Sequence, residues 1–86
     1  MSRNSLPAVE VWERKRVGVI LRAIRDAKGL NIDVFANRLG RSRPFVANIE
    51  AGRKQLPPDL VPLAAEILGV DPIVFAKSGA MTEDAA

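Results

Sequence analysis

The chain has 86 residues, with 13 Lys and Arg, 10 Asp and Glu, and neither His nor Cys. This is the length of one small domain, and the composition excludes disulfides, thiol nucleophiles, Cys/His zinc sites and imidazole catalysis. No stretch approaches the roughly 18 apolar residues that a membrane helix needs, and the N-terminus lacks the apolar run of a signal peptide. We therefore expect a cytoplasmic protein that needs no metal or other cofactor.

The net charge of +3 averages two unlike parts of the chain. Residues 1–56 carry a net charge of +7, whereas residues 57–86 carry −4. Such asymmetry suggests one face that binds a polyanion, although chance clustering on a solvated surface explains the charge equally well.

Helical periodicity begins near the N-terminus, and no stretch shows the alternation or the turn dipeptides of a β-hairpin. Ser5 and Pro7 are suited to start a helix, and Gly29 is suited to end it. Residues 6–12 either join this helix or form a separate arm. Its apolar face is formed by Val17, Ile20, Leu21 and Ile24.

Two short helices separated by a tight turn come next. Asn31 is a good N-cap for the second helix, which Gly40 closes. Ser42 can cap the third helix, and Pro44 is tolerated in its first turn. The helical spacing of apolar residues in this third helix continues to Gly52.

Two further helices complete the predicted fold. The fourth runs from Pro58 to Gly69, and its expected core face comprises Leu60, Leu63, Ala64, Ile67 and Leu68. Asp71 and Pro72 start a short fifth helix, which carries Ile73, Val74 and Phe75. The sequence thus predicts an all-α fold, with residues 1–16 as an N-terminal arm or helix extension, 17–77 as the domain and 78–86 as a disordered tail.

The second and third helices, joined by a glycine-containing turn with arginines beside the second cap, have the pattern of a helix-turn-helix. An α-helix fits the major groove of B-DNA, and its N-terminal residues reach base edges there. Unpaired N–H groups at a helix N-terminus also favour phosphate. The pattern therefore indicates binding to double-stranded DNA.

Five motifs in order resemble the phage-repressor/Cro type of helix-turn-helix domain, the Xre family. They are Val17–Arg25, Gly29-Leu30-Asn31 through Phe35-Ala36 and Leu39-Gly40, Ile49-Glu50-Ala51-Gly52, Pro57 with Leu63-Ala64-(x3)-Leu68-Gly69-Val70, and Phe75. The resemblance covers residues 17–77 and implies a compact, five-helix, lambda-repressor-like domain that binds DNA.

The resemblance also assigns roles to individual positions. It places the recognition helix at Ser42–Glu50 and implies base-reading positions at Arg43, Pro44, Ala47 and Asn48. Arg43 can present a bidentate fork to guanine, and Asn48 can pair with adenine. Arg25 and Glu50 lie where the family has an ion pair that joins its first and third helices, and we expect a structural role for them.

Contacts to the DNA backbone are expected from residues that flank the recognition helix: Asn31, Arg38, Arg41, Ser42, Phe45, Arg53 and Lys54. A solvated basic face is the alternative for the cations among them. Two positions depart from the family pattern. Ile32 replaces a polar phosphate contact, which either passes to Asn31 or is lost. Phe45 replaces a small polar residue and either packs on DNA, which we favour slightly, or folds into the core.

A second apolar stripe lies in and beyond the N-terminal extension. Trp12, Val19 and Ala23 are spaced i, i+7 and i+11, so on one continuous helix they share a face. This stripe is a candidate dimer interface. Alternatively, Trp12 covers the end of the domain's own core, or Arg3 and the run Arg14-Lys15-Arg16 form an arm on DNA.

The function predicted from the sequence is sequence-specific transcriptional regulation, by a phage-type repressor that binds an inverted-repeat operator as a homodimer on the nucleoid. The first alternative is an antitoxin that represses its own operon and binds a toxin through the Trp12 segment of the N-terminal extension or through the acidic tail. The second is a protein-interaction module that keeps the fold alone. An enzyme is not expected, because neither paired carboxylates nor a phosphate-binding Gly-rich loop is present.

Overall fold

A computed structural model describes residues 8–76, which form four α-helices, two short 3₁₀ helices and no strand. The α-helices are α1 (Ala8–Ala27), α2 (Ile32–Leu39), α3 (Arg43–Glu50) and α4 (Val61–Leu68). The 3₁₀ helices are Pro58–Leu60, which leads into α4, and Pro72–Phe75, which follows it. Within these residues, none of the helices combines the length and the apolar character that a membrane span requires.

The all-α prediction is confirmed for the described residues, but the prediction of five helices is wrong. The expected fifth helix is a single 3₁₀ turn, Pro72–Phe75, stabilised by the Asp71 side chain, which accepts a hydrogen bond from the Ile73 amide at 3.0 Å. The Val74 amide donates to the Asp71 carbonyl at 3.1 Å, which is the i→i+3 bond of a 3₁₀ helix. Four residues are too few for α-helical bonds to propagate.

The expected fourth helix also begins differently from the prediction. Pro62 has no N–H and cannot donate an α-helical hydrogen bond to the Pro58 carbonyl. The Val61 amide donates to that carbonyl instead, in a 3₁₀ bond. The buried face then consists of Leu60, Ala64, Ala65 and Leu68. Leu63, which the sequence predicts on the core face, lies at the edge of that face and is 38% exposed.

One apolar core joins all four α-helices. α1 packs on α3, α3 on α2, and α2 on α4, while the last 3₁₀ turn contacts both α4 and α1. Leu21 is the residue of α1 most deeply inserted. The largest fully buried side chains are Phe35, Leu21, Ile49, Leu68 and Val46. This packing places α2 directly against α3.

Residues 8–16 are continuous with the rest of α1 and contact the domain. Glu13 is buried and accepts a hydrogen bond from Arg16, whose guanidinium also donates to the Ala76 carbonyl. Arg14 donates to the Arg53 carbonyl at 3.2 Å. These side chains therefore bind their own domain, and not DNA as a free arm. Arg3, the Ser5 cap and the expected tail at 78–86 lie outside the described residues.

Candidate nucleic-acid interface

The turn between α2 and α3 is fixed by local signals at its ends. The Asn31 side chain caps α2 by accepting hydrogen bonds from the amides of Asp33 and Val34. Gly40 ends α2 at φ 75°, a left-handed conformation that glycine adopts without strain. Ser42 then caps α3 by accepting from the Phe45 amide at 3.2 Å. Together these three signals fix the turn and so set the direction of α3 relative to α2.

Arg25 and Glu50 lie together between α1 and the C-terminal end of α3. The Arg25 Nε donates to Glu50 Oε2 at 2.7 Å, and its Nη2 donates to Glu50 Oε1 at 3.0 Å. The Arg25 Nη1 also donates to the Leu30 carbonyl, in the loop before α2. The hydrogen bond to Glu50 raises the pKa of Arg25, although burial opposes that shift. The contact braces α3 against α1.

The base-reading positions expected from the resemblance lie on the outer side of α3. Arg43 and Pro44 are exposed at its N-terminus, whereas Ala47 and Asn48 are half-buried one turn later. The Arg43 Nε lies 3.7 Å from a carboxylate oxygen of Asp33 in α2. Both side chains are largely exposed, so this is a surface ion pair, and it leaves the end-on fork of the guanidinium accessible to a bidentate partner. Sequence reasoning missed Asp33, since nothing in a spacing of ten residues signals the pair.

Asn48 is bonded twice to Arg53, in the loop after α3. The Arg53 amide donates to the Asn48 carbonyl at 2.9 Å, and the Arg53 Nη1 donates to Asn48 Oδ1 at 2.9 Å. Arg14 of α1 also donates a hydrogen bond to the Arg53 backbone carbonyl. The sequence predicts a phosphate contact for Arg53 and a base contact for Asn48, and it signals neither the contact between them nor the hydrogen bond from Arg14.

Phe45 lies between two cations at the surface. Its half-buried ring packs against the core. The Arg41 guanidinium carbon is 5.6 Å from the ring centroid, and the Lys54 ammonium is 5.8 Å from it. Both distances suit cation–π attraction. The ring thus packs against the core and also lies near two residues that are expected to contact phosphate, while its packing on DNA stays a prediction.

Two expected backbone contacts lie on α2 or at its start. The side-chain carbonyl oxygen of Asn31 is used in the helix cap, so a phosphate would be met by its amide nitrogen. Ile32, the departure from the family pattern, packs partly buried against the core. Arg38 is exposed and lines a shallow depression on α2 with Asp33, Val34 and Asn37. Asp33 in the first turn of α2 lies near Arg43 of α3, and Phe45 of α3 lies near Lys54, so these elements adjoin at the surface.

Comparison with known proteins identifies the family to which this fold belongs. A family model described as a helix-turn-helix domain matches residues 16–76. The clp gene regulator ClgR from Corynebacterium glutamicum is similar in structure at a TM-score of 0.71 and 25% identity, covering 85% of this chain and 80% of its own. The restriction-modification controller protein C.AhdI from Aeromonas hydrophila reaches 0.70 at 26% identity, covering 76% of this chain and 98% of its own.

A third structure shows the likeness of the fold alone. The hypothetical transcription factor NHTF from Neisseria is 21% identical, with a TM-score of 0.69, and the match covers 96% of this chain and 95% of that one. Comparison with curated proteins finds none that matches. The family match spans most of the chain and both regulators superpose over most of their length, so the chain belongs to the helix-turn-helix family, in its phage-repressor/Cro (Xre) type.

Proposed function

We propose that the protein is a sequence-specific DNA-binding transcriptional regulator that acts as a repressor of the phage type. The observation that carries the proposal is the N-terminal half of α3. It presents Arg43 and Pro44 to solvent beside the Asp33 carboxylate, and the cations Arg41, Arg53 and Lys54 lie in the turn before it or the loop after it. A recognition helix needs this combination of base-reading side chains and flanking phosphate contacts.

The named relatives support the same class of function. One is a regulator of clp genes, and another is a controller protein of a restriction-modification system. Transfer of a regulatory role to this chain follows from the shared fold together with the exposed polar face on α3. A repressor would act by occupying its operator with the surface formed by α2, α3 and the loop after α3.

We further propose that the protein binds as a homodimer through the outer face of α1. Three apolar side chains on this face are largely exposed: Val9 at 63%, Trp12 at 57% and Val19 at 65%. Arg16, four residues after Trp12, turns its guanidinium to Glu13 and the Ala76 carbonyl, which leaves the stripe apolar. An apolar stripe on the outside of a helix is typical of an interface.

A second copy is the occupant that fits the pattern of this stripe. If two α1 helices pair antiparallel about a two-fold axis between residues 17 and 18, Trp12 of one copy lies opposite Ala23 of the other. Trp12 and Ala23 then face each other as a large and a small side chain, while Val19 faces Arg16 and Val9 faces Asp26. The same patch serves both copies, as an isologous interface requires. α1 has 20 residues and is about 30 Å long.

Selection of bound sequences from random duplex DNA tests the proposal. We expect enrichment of an inverted repeat whose half-sites are about one helical turn, or roughly 34 Å, apart. Retention of DNA without an enriched sequence, or no retention at low salt, would contradict sequence-specific regulation. An enriched single half-site would contradict the homodimer alone. Co-purification of a monomer with an unrelated protein on the Trp12 face would favour the antitoxin alternative.

A further inference from the structure

We propose that Phe45 is a positioning residue whose ring holds Arg41 and Lys54 together, so that the two cations bind the DNA backbone as one phosphate site. This role rests on the proposed function, because it concerns how the interface binds phosphate. It differs from the expectations from the sequence, in which Phe45 itself packs on DNA or folds into the core. The ligand of the site is a phosphodiester, either one phosphate or two neighbours on the same strand.

The Phe45 ring joins two segments that are separate in sequence. Arg41 precedes α3 and Lys54 follows it, whereas Phe45 lies in the first turn of α3. The Arg41 guanidinium carbon lies 5.6 Å from the ring centroid, and the Lys54 ammonium nitrogen lies 5.8 Å from it. Both cations are thus within about 6 Å of one point, which is the range of cation–π attraction. Successive phosphates of one strand are roughly 3.4 Å apart along the DNA axis, so such a pair can bind one phosphate or two neighbours.

The ring and one of its cations are themselves well held. Phe45 is half-buried and packs against the apolar core, and its amide donates to the Ser42 Oγ at 3.2 Å in the cap of α3. The Arg41 amide donates to the Ala36 carbonyl at 2.9 Å, and the Arg41 Nη1 donates to the Gly40 carbonyl at 3.0 Å. The contact therefore starts from an ordered backbone, which reduces the entropy that holding the side chains costs.

A ring orders the two cations and leaves their charge available. Within residues 8–76, neither Arg41 nor Lys54 forms an ion pair with a carboxylate. A carboxylate partner would neutralise each cation, whereas a ring attracts it and carries no net charge. Both side chains are exposed, so their positive charges face solvent near one point. Two like charges this close repel each other, and a phosphate bound between them relieves the repulsion.

Fluorescence anisotropy with a random-sequence duplex at low salt tests this role. Phe45→Leu keeps an apolar side chain for the core and removes the ring, while both cations remain. It should weaken binding roughly five-fold, the lower end of the cost of ordering two long side chains. Phe45→Tyr restores an aromatic ring and should recover the lost affinity. Thermal unfolding identifies the temperature below which all variants are folded, and binding is measured there.

The background Arg41→Ala/Lys54→Ala separates positioning from direct contact with DNA. Without the two cations the ring has nothing to hold, so adding Phe45→Leu should change affinity by no more than about two-fold. Arg22→Ala/Lys28→Ala is the matched control, because it removes the same charge from two exposed positions in and just after α1 that do not contact Phe45. In the control background Phe45→Leu should keep its effect of roughly five-fold.

The outcomes separate the positioning role of Phe45 from the proposed function. Phe45→Leu that binds as tightly as wild type would overturn the role, as would a Phe45→Tyr protein that recovers no affinity. A loss that persists in the Arg41→Ala/Lys54→Ala background would also overturn it, because the ring would then contact DNA itself or act only through the core. The expected losses in a protein that selects no sequence would contradict sequence-specific regulation and leave the phosphate site in place. No binding to any duplex at low salt would overturn both.

Discussion

Arg25 and Glu50, which are 25 residues apart in sequence, join α1 to the end of α3 through two hydrogen bonds of 2.7 and 3.0 Å between guanidinium and carboxylate. Their side chains are only 10% and 7% exposed. Removal of one partner leaves the other charge buried without compensation, which is more costly than the loss of an exposed ion pair.

Arg25→Met should therefore lower the free energy of unfolding by about 3 kcal/mol, because Glu50 stays charged in a closed site. Urea unfolding followed by circular dichroism measures the loss. The double variant Arg25→Met/Glu50→Leu is the control, and it should recover much of the stability, since apolar side chains can fill the same space. A loss below about 0.5 kcal/mol in the single variant would place the pair among exposed ion pairs.

The stability that Arg25 contributes should not change between pH 7 and pH 10. The hydrogen bond to Glu50 raises the pKa of Arg25 in the folded state above its ordinary value. A raised pKa means that the contribution is fully present below the unfolded-state pKa and is lost only as the pH rises through the folded-state pKa. Both lie at strongly alkaline pH. The difference in unfolding free energy between wild type and Arg25→Met should thus be equal at pH 7 and pH 10, and a difference that shrinks by pH 10 would contradict the assignment.

Gly18→Ala should destabilise the protein, although alanine is normally the better helix former by about 1 kcal/mol. A Cβ at Gly18 would overlap the Ile49 carbonyl oxygen and lie 2.8 Å from that of Glu50. These are backbone atoms at the end of α3, so the helices must separate, and overpacking of this kind costs about 1–3 kcal/mol. Thermal and urea unfolding measure the change. Arg22→Ala, at an exposed position of the same helix, is the control and should change stability by no more than about 0.5 kcal/mol. A more stable Gly18→Ala protein would show that α1 and α3 are not in close contact.

Signals that act within a few residues could be predicted from the sequence. The Asn31 and Ser42 caps and the glycine at position 40 each depend on local backbone geometry, and together they locate the two central helices. The resemblance to the Cro-type family, confirmed by the comparisons, supplied the Arg25 and Glu50 positions, which spacing alone does not relate.

Other features depend on information that a local pattern lacks. The start of α4 depends on Pro62, which lacks the N–H that the Pro58 carbonyl would accept in an α-helix. The pattern of apolar residues alone predicts a regular helix there. The contacts of Asp33 with Arg43 and of Arg53 with Asn48 depend on rotamers and on the packing of separate segments. The sequence contains these donors and acceptors, but it does not predict which of them contact each other.

Trp12→Ala should shift the protein toward monomer if the outer face of α1 is the dimer interface. Loss of the large ring removes the central apolar contact of the stripe, and sedimentation velocity over a concentration series measures the change. Ile73→Ser is the matched control, because Ile73 is also largely exposed, at 59%, but lies in the last 3₁₀ turn. A monomer from Ile73→Ser with a stable dimer from Trp12→Ala would move the interface to the C-terminal part of the domain.

Asp33→Asn should raise affinity for random DNA and lower the ratio of operator to random binding. The Asp33 carboxylate repels phosphate, and it lies 3.7 Å from the Arg43 Nε as an exposed ion partner that competes with phosphate for the guanidinium. Without it, Arg43 becomes a mobile cation that any phosphate can attract. Arg43→Ala should lower the same ratio by roughly five- to 150-fold, as loss of a good bidentate contact predicts. Fluorescence anisotropy with operator and scrambled duplexes measures both.

The control is Asp59→Asn, which removes an exposed carboxylate in the 3₁₀ turn before α4 that is not among the residues proposed to contact DNA. It changes the net charge of the protein by the same amount as Asp33→Asn but leaves the contacts of Arg43 intact. If both Asp variants raise affinity for random DNA equally and leave the specificity ratio unchanged, Asp33 acts through net charge alone. A fall in the ratio confined to Asp33→Asn would identify the carboxylate as a competitor of phosphate for Arg43, because only that contact distinguishes the two substitutions.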